Sequence, residues 1–355
     1  MIMQQQLKYI RGGYHKTKIL AMISLISIII LIICSFSGQK DDSYKASENS
    51  FFRKLSNGVD VNILIIGDSI GAGAGASESS FNWISLLEKS IKSKYKSKVF
   101  VTNISMGGNT SYAGYVRTMA LDDEINYDLA IICYGQNDET EKFSLYYESI
   151  IRAVRNKYRN CSIISILESS QREYTEKMET IKSLANHYGI LVADTINPFM
   201  EDYDSYTNDG VHPNNRGQSV YAESVEKIID LAVLQADRYD NKEISIVNDD
   251  VKKFDMFHWI DSVKFERLDD ITFILKSPFK GILGIDYSIQ SGDNTCDIYV
   301  DGKLFESQTV CFNYEFSQRY IVMISECEVG SELKLIFGNK KQADGFYGIC
   351  FSNSL

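Results

Sequence analysis

A chain of 355 residues is long enough for about two domains of ordinary size. With 44% hydrophobic and 24% charged residues and only three prolines, it is not a disordered, collagen-like or low-complexity chain. Thirty-seven basic against 47 acidic residues give a net charge of −10 without a lysine-arginine stripe, which argues against nucleic acid or another polyanion as partner. The seven cysteines form no C-x-x-C pair and suggest neither a disulfide scaffold nor a zinc site.

At the N-terminus, Lys8, Arg11, Lys16 and Lys18 precede an uncharged run from Ile19 to Phe36. At 1.5 Å per residue that run spans about 27 Å, close to the hydrocarbon thickness of a bilayer. Asp41 and Asp42 follow it, so the charge asymmetry keeps residues 1–18 in the cytoplasm and sends the rest across. Residues 19–36 are either an uncleaved signal anchor or a signal peptide cleaved after Ser37; the length of the run favours the anchor. Ile33 before Cys34 argues against lipidation there. Either way, the chemistry belongs outside the cytoplasm. Residues 37–58 are polar, rich in Ser, Lys and Asp, and read as a tether.

The pattern changes at Val61–Ile66, a short apolar run suited to a parallel strand buried on both faces. Ile84, Leu87 and Ile91 then mark a helix face. Strand-like runs recur at Val99–Val101, Leu129–Cys133, Cys161–Ile166 and Ile190–Ala193, with helical stretches around 141–158 and 171–187. Tyr221, Val225, Ile228, Ile229 and Ala232 mark a last amphipathic helix. The alternation predicts an α/β three-layer sandwich with a mainly parallel, flavodoxin-like sheet over 59–238. From 239 to 355 the period becomes two, as in Leu283, Ile285, Tyr287 and Ile289, and Asp301-Gly302 reads as a hairpin turn. That region predicts an all-β sandwich. Its four cysteines fit either disulfides or free buried thiols.

Four segments carry chemistry. The first strand runs into Gly67-Asp68-Ser69-Ile70, placing a serine where open α/β sheets bind ligands, at the expected entrance of a helix. After the second strand comes Asn103-Ile104-Ser105-Met106-Gly107-Gly108-Asn109-Thr110, whose glycines let backbone N–H groups approach a substrate carbonyl. After the third comes Gly135-Gln136-Asn137-Asp138, with a carboxamide donor. Before the last helix comes Asp209-Gly210-Val211-His212-Pro213, where an aspartate can hold an imidazole in the tautomer that accepts a serine proton. Of the four histidines, only His212 combines an aspartate at i−3 with a strand-to-helix junction. Each segment alone also reads as an ordinary turn or cap, but their order at successive strand ends is hard to reach by chance.

In that order the segments resemble the four motif blocks of the SGNH, or GDSL-type, esterases and lipases, over roughly residues 59–235. The resemblance implies Ser69 as nucleophile, His212 as general base and Asp209 as its orienting partner. It implies an oxyanion hole built from the Ser69 N–H, a second N–H from Gly107 or Gly108, and the Asn137 side chain. Counting from Asn103 favours Gly108. The block reads Gly-Asp-Ser-Ile rather than Gly-Asp-Ser-Leu, a conservative difference. No metal or other cofactor is needed by a serine mechanism, and no cluster has metal-ligand spacing.

The run Gly71-Ala72-Gly73-Ala74-Gly75-Ala76 lacks G-x-G-x-x-G spacing and an acidic residue after the second strand, so a dinucleotide site is not indicated; the run reads as a flexible wall of the cleft. No G-x-S-x-G elbow is present. Aromatic residues of the β-region (Trp259, Tyr287, Tyr299, Tyr314, Phe346 and Tyr347) fit either a core or a sugar-stacking surface. The expected activity is removal of small acyl groups, O-acetyl foremost, from a glycan through an acyl-serine, with the membrane as a partner through the N-terminal helix. The alternatives are O-acyl transfer to a polysaccharide with the same residues, and a non-catalytic surface binding protein.

Overall fold

The computed structural model describes residues 50–122, 124–235 and 245–353; the expected membrane segment 19–36, the cleavage site after Ser37 and the 238/239 boundary lie outside them. Among the described residues, no helix is long and apolar enough to cross a membrane. The first element is a surprise. Residues 51–58, read above as part of a polar tether, begin with helix α1, Phe51–Ser56, in which Phe51, Phe52 and Leu55 are buried. These three side chains belong to the core on one face of the α/β sheet. The Ser-Lys-Asp composition of the preceding stretch masks an apolar triplet that has somewhere to go.

After α1 the chain alternates strand and helix: β1 Val61–Gly67, α2 Trp83–Tyr95, β2 Val99–Asn103, α3 Ser111–Met119, β3 Leu129–Cys133, α4 Thr140–Lys157, β4 Ser162–Leu167, α5 Glu176–Tyr188, β5 Leu191–Asp194 and α6 Asn215–Leu234. The strands pair in parallel in the order β2-β1-β3-β4-β5. This is a flavodoxin-like sheet, whose ligand crevice lies beyond the carboxyl ends of β1 and β3, where the strand order reverses. Every residue of β3 is buried, the expected consequence of helices on both faces. One face is covered by α1, α2 and α6, the other by α3, α4 and α5.

The C-terminal region is an antiparallel sandwich. Its elements are β6 Met256–Asp261, β7 Glu266–Arg267, β8 Thr272–Leu275, β9 Phe279–Ile289, β10 Gly292–Val300, β11 Lys303–Phe312, β12 Gln318–Val329, β13 Leu333–Phe337 and β14 Phe346–Asn353. One sheet runs β11-β10-β13-β8-β7 and the other β12-β9-β14-β6. Asp301 and Gly302 both take positive φ, 48° and 80°, as the expected two-residue hairpin between β10 and β11 requires. Cys296, Cys311, Cys327 and Cys350 of this region form no disulfide among the described residues, which favours thiols over the disulfides that the sequence also allowed.

The sandwich is packed onto the α/β unit. Ile282, Ile321, Cys350 and Phe254 lie in the same buried cluster as Tyr112, Tyr115 and Tyr146 of α3 and α4. The Tyr115 hydroxyl donates to Phe254 O at 2.8 Å, and the Phe254 ring meets Tyr115 edge-on at 5.1 Å. Gly284 is part of the fit: a Cβ there would lie 2.5 Å from Tyr112 Oη.

Candidate active site

Ser69 follows β1 directly, at the crevice. No helix begins at this serine, contrary to the expectation above. The chain instead coils through consecutive tight turns, with Ala72 N–H donating to Asp68 O and Ala74 N–H to Ser69 O, before α2 starts at Trp83. A helix dipole therefore contributes nothing at Ser69. What remains available locally is the serine's own N–H, which has no hydrogen-bond partner among the described residues.

The glycine run after Ser69 is a close-packed joint, not a flexible wall. Gly75 has φ +92°, and a Cβ there would fall 2.4 Å from Pro213 O and 2.9 Å from His212 Cβ. Gln218 of α6, fully buried, braces the same joint: its amide donates to Ala74 O at 2.8 Å and Pro213 O at 3.0 Å, while its carbonyl accepts from Trp83 N–H at 2.8 Å. Asn214 caps α6 by accepting from Arg216 and Gly217 N–H, which fixes where the preceding histidine stands. Only a chain without side chains at this crossing lets the serine and histidine loops come together.

They do meet. His212 Nε2 lies 2.9 Å from Ser69 Oγ. On the other side of the ring, His212 Nδ1 lies 2.6 Å from Asp209 Oδ2. Asp209 Oδ1 accepts from the N–H groups of His212 and Val211, at 2.8 and 3.0 Å. Burial pushes this carboxyl up, but the hydrogen bonds from His212 and Val211 outweigh it and hold it at about 2. An ionised Asp209 keeps the proton on Nδ1 and leaves Nε2 as acceptor toward the serine.

The loop after β2 also reaches this point. Gly108 has φ +67°, and its N–H, like that of Gly107, has no hydrogen-bond partner among the described residues. A Cβ on Gly107 would lie 3.3 Å from Ser69 Cβ, so the loop passes directly beside the serine. Asn137 stands at the same edge, yet its amide is engaged: Nδ2 donates to Asn109 O at 3.2 Å and to Asp68 Oδ2 at 3.3 Å. The structure thus joins Ser69, His212 and Asp209 in one relay beside the Gly107–Gly108 loop, and brings Asn137 adjacent with its Nδ2 donors in use.

Beneath the serine lies a group that the motifs did not reveal. Asp68, Asp138 and Glu168 are buried, and Glu168 accepts from Gln136 N–H at 2.9 Å and from the Cys133 thiol. Burial pushes the Asp68 carboxyl up to about 7 against a hydrogen bond from Ile70 N–H, with Asp138 adding to the rise. Burial and then the charge of Asp68 raise Glu168 as well. Glu168 follows β4 immediately, and an acid at the carboxyl end of a central strand was a signal open to sequence reading. Among the described residues, no group of acidic, histidine and cysteine side chains could hold a metal ion.

Comparison with known proteins bears on this geometry. Residues 65–220 match the GDSL-like Lipase/Acylhydrolase family. The chain is a serine ester hydrolase. Over 177 residues the hydrolase is 28% identical to the Thioesterase 1/protease 1/lysophospholipase L1 of Escherichia coli strain K12, a match spanning 46% of this chain and 81% of that one. Its two-domain fold is similar to the crystal structure of a two-domain esterase active on acetylated mannans, co-crystallised with mannopentaose. That likeness has a TM-score of 0.68 at 16% identity and covers 85% of this chain and 93% of the other. A second structure of such an esterase without the sugar gives 0.69 at 15% identity. The match to the bacterial relative spans less than half of this chain, whereas the fold likeness to the two-domain esterase covers 85% of it.

Proposed function

We propose that this hydrolase removes small acyl groups, O-acetyl foremost, from a glycan through an acyl-Ser69 intermediate, outside the cytoplasm. The observation that carries the reading is the Ser69–His212–Asp209 relay at 2.9 and 2.6 Å. In it, His212 Nε2 takes the Ser69 proton as Oγ attacks the ester carbonyl, and Asp209 stabilises the imidazolium. The carbonyl oxygen becomes an oxyanion against the N–H groups of Ser69 and Gly108. His212 then returns the proton to the departing sugar oxygen. Water, deprotonated by the same imidazole, attacks the acyl-serine, and acetate leaves with Ser69 restored.

The glycan part of the reading rests on a groove that begins at Asn137 and on an exposed aromatic pair. A groove of about 490 Å³ runs from Asn137 and Asp138 along β12. Glu139, Lys142, Glu306 and Gln308 line it beside Tyr112, Tyr146, Tyr320 and Met323, a mixed wall with partners for hydroxyls and apolar faces for a sugar ring. Tyr314 and Phe316, just before β12, are 54% and 55% exposed, and their rings lie 5.5 Å apart at 32°. Two tilted aromatic faces in water form a platform for pyranose rings. Of the other aromatic candidates, Tyr287 and Phe346 are core. The shared two-domain fold with an esterase active on acetylated mannans supports the same substrate class. The basic residues ahead of the 19–36 run support export with the membrane as anchor.

The test is acetate release by the full-length protein from acetylated mannan and xylan oligosaccharides, set against nitrophenyl esters of increasing chain length. The expected result is release from the glycans, preference for acetyl over long acyl chains, and loss of both in Ser69→Ala. Release only from long-chain or thioester substrates contradicts the reading. Acetyl appearing on an added sugar acceptor in place of free acetate would make the enzyme a transferase.

A further inference from the structure

The catalytic centre borders a residue of the β-sandwich. Gln318, the first residue of β12, lays its side-chain amide against the loop after β2. A Cβ on Gly107 would meet Gln318 Oε1 at 3.3 Å, and one on Gly108 would meet Gln318 Nε2 at 3.3 Å. The same Gly107 position is 3.3 Å from Ser69 Cβ, so Gln318 and the serine flank one glycine. Gln318 Nε2 is shielded from solvent and has no hydrogen-bond partner among the described residues. An amide donor left unpaired in a site that excludes water is costly unless a ligand completes it.

The position is clamped. Asn109 joins the loop to β12 through both ends of its amide: Nδ2 donates to Gly107 O at 3.0 Å and Arg319 O at 3.2 Å, while Oδ1 accepts from Ile321 N–H at 3.2 Å. Asn109 is fully buried, so the clamp works without competition from water. Arg319 is held in turn by Asp286 of β9, its Nε 2.9 Å from the carboxylate. The sandwich thus supports the backbone expected to hold the oxyanion, and delivers Gln318 onto it.

Which part of an ester would meet the amide follows from the relay. The departing oxygen must approach His212 Nε2 to receive its proton, so the sugar occupies the histidine side of Ser69. The carbonyl oxygen turns the other way, toward Gly107 and Gly108, where Gln318 lies. Asn137, the side-chain donor expected there, has its Nδ2 engaged with Asn109 O and Asp68. We propose that Gln318 Nε2 donates to the ester carbonyl oxygen, so that the β-sandwich contributes a substrate-contacting residue to the oxyanion hole. The proposal rests on the serine esterase reading above and extends it.

The test compares full-length wild type, Gln318→Met and Gln318→Glu on 4-nitrophenyl acetate and on an acetylated mannan oligosaccharide. Methionine keeps the length of the side chain without the N–H; glutamate replaces the donor by a charge that opposes the oxyanion. The expected result is a fall in kcat of about 10²-fold for Gln318→Met on both substrates, the usual loss for one oxyanion donor, with KM near the wild-type value. Gln318→Glu should be slower still. Gln318→Met should melt at or above the wild-type temperature, since it removes a shielded donor that has no partner, so its loss of rate is not a loss of fold. Wild-type rates in Gln318→Met overturn the proposal. So does a loss confined to the glycan and expressed in KM, or full activity in Gln318→Glu, because either would make Gln318 a sugar contact. A wild type inactive on both esters would instead refute the esterase reading itself.

Discussion

Asp209 meets its histidine through a carboxylate that also accepts two backbone N–H groups, so its substitution separates shape from charge. In Asp209→Asn, Oδ1 can still accept from Val211 and His212 N–H, but an NH₂ faces Nδ1 and favours the wrong tautomer. We expect kcat to fall by about 10²–10⁴-fold with little loss of stability, read by steady-state kinetics beside thermal melting. Gly75→Ala tests the joint between the loops. The new Cβ would sit 2.4 Å from Pro213 O at a φ of +92°, so the histidine loop must shift. A displacement of about 1 Å there should cost about 10²-fold in kcat/KM; activity equal to wild type would show that the joint does not position His212. Ser69 and Gly108 were legible in the sequence because each lies in a short segment after a strand, and Asp209 and His212 because they share one turn before α6, although two short helices, Ile196–Phe199 and Tyr203–Tyr206, and not the expected strand end, precede that turn. Gln318 was not legible. It is brought to Gly107 only by the docking of two domains, and a glutamine at the start of a strand carries no local signal.

Among the elements, helix α3 shows why a local rule can mislead. Ser111–Met119 has tyrosines, a valine and Gly114 in nine residues, a poor helix by intrinsic preference. Its helicity is imposed by packing: a Cβ on Gly114 would lie 2.5 Å from Tyr134 Cε2. Gly114→Ala should therefore destabilise the protein by about 1–3 kcal/mol through overpacking, although alanine is the better helix former. Denaturant unfolding decides between the two effects, and stabilisation would contradict the packing argument. Helix α1 is the converse case. A polar composition hid Phe51, Phe52 and Leu55, which are 0–1% exposed. Phe52→Ala should cost about 3–5 kcal/mol, a loss that a tether would not show. The other helices and the five parallel strands followed from apolar periodicity, since burial on both sheet faces writes itself into the sequence as continuous runs.

At the scale of the whole molecule, the change of period from strand-helix alternation to two marked the β-sandwich, while its docking on α3 and α4 depends on matched surfaces that no pattern encodes. The buried acids beneath Ser69 give this assembly a pH dependence. Asp68 has a folded pKa raised from 3.8 to about 7, and Glu168 is raised with it, so both favour the folded state most when protonated. Their contribution is present at low pH and is lost as pH rises through that interval. Glu168→Gln removes the charge and keeps the size and one amide oxygen to accept from Gln136 N–H, and should raise the melting temperature at pH 8 relative to its effect at pH 4. A larger gain at pH 4 would contradict the assignment. The central claim is that ester cleavage passes through a covalent bond to Ser69 Oγ, and rapid quenching during turnover of 4-nitrophenyl acetate, followed by peptide mass spectrometry, examines it directly. The account expects one acetyl group on the peptide carrying Ser69, none in Ser69→Ala, and no acetate from that variant. Continued turnover by Ser69→Ala, or acetylation at another residue with Ser69 unmodified, would contradict it.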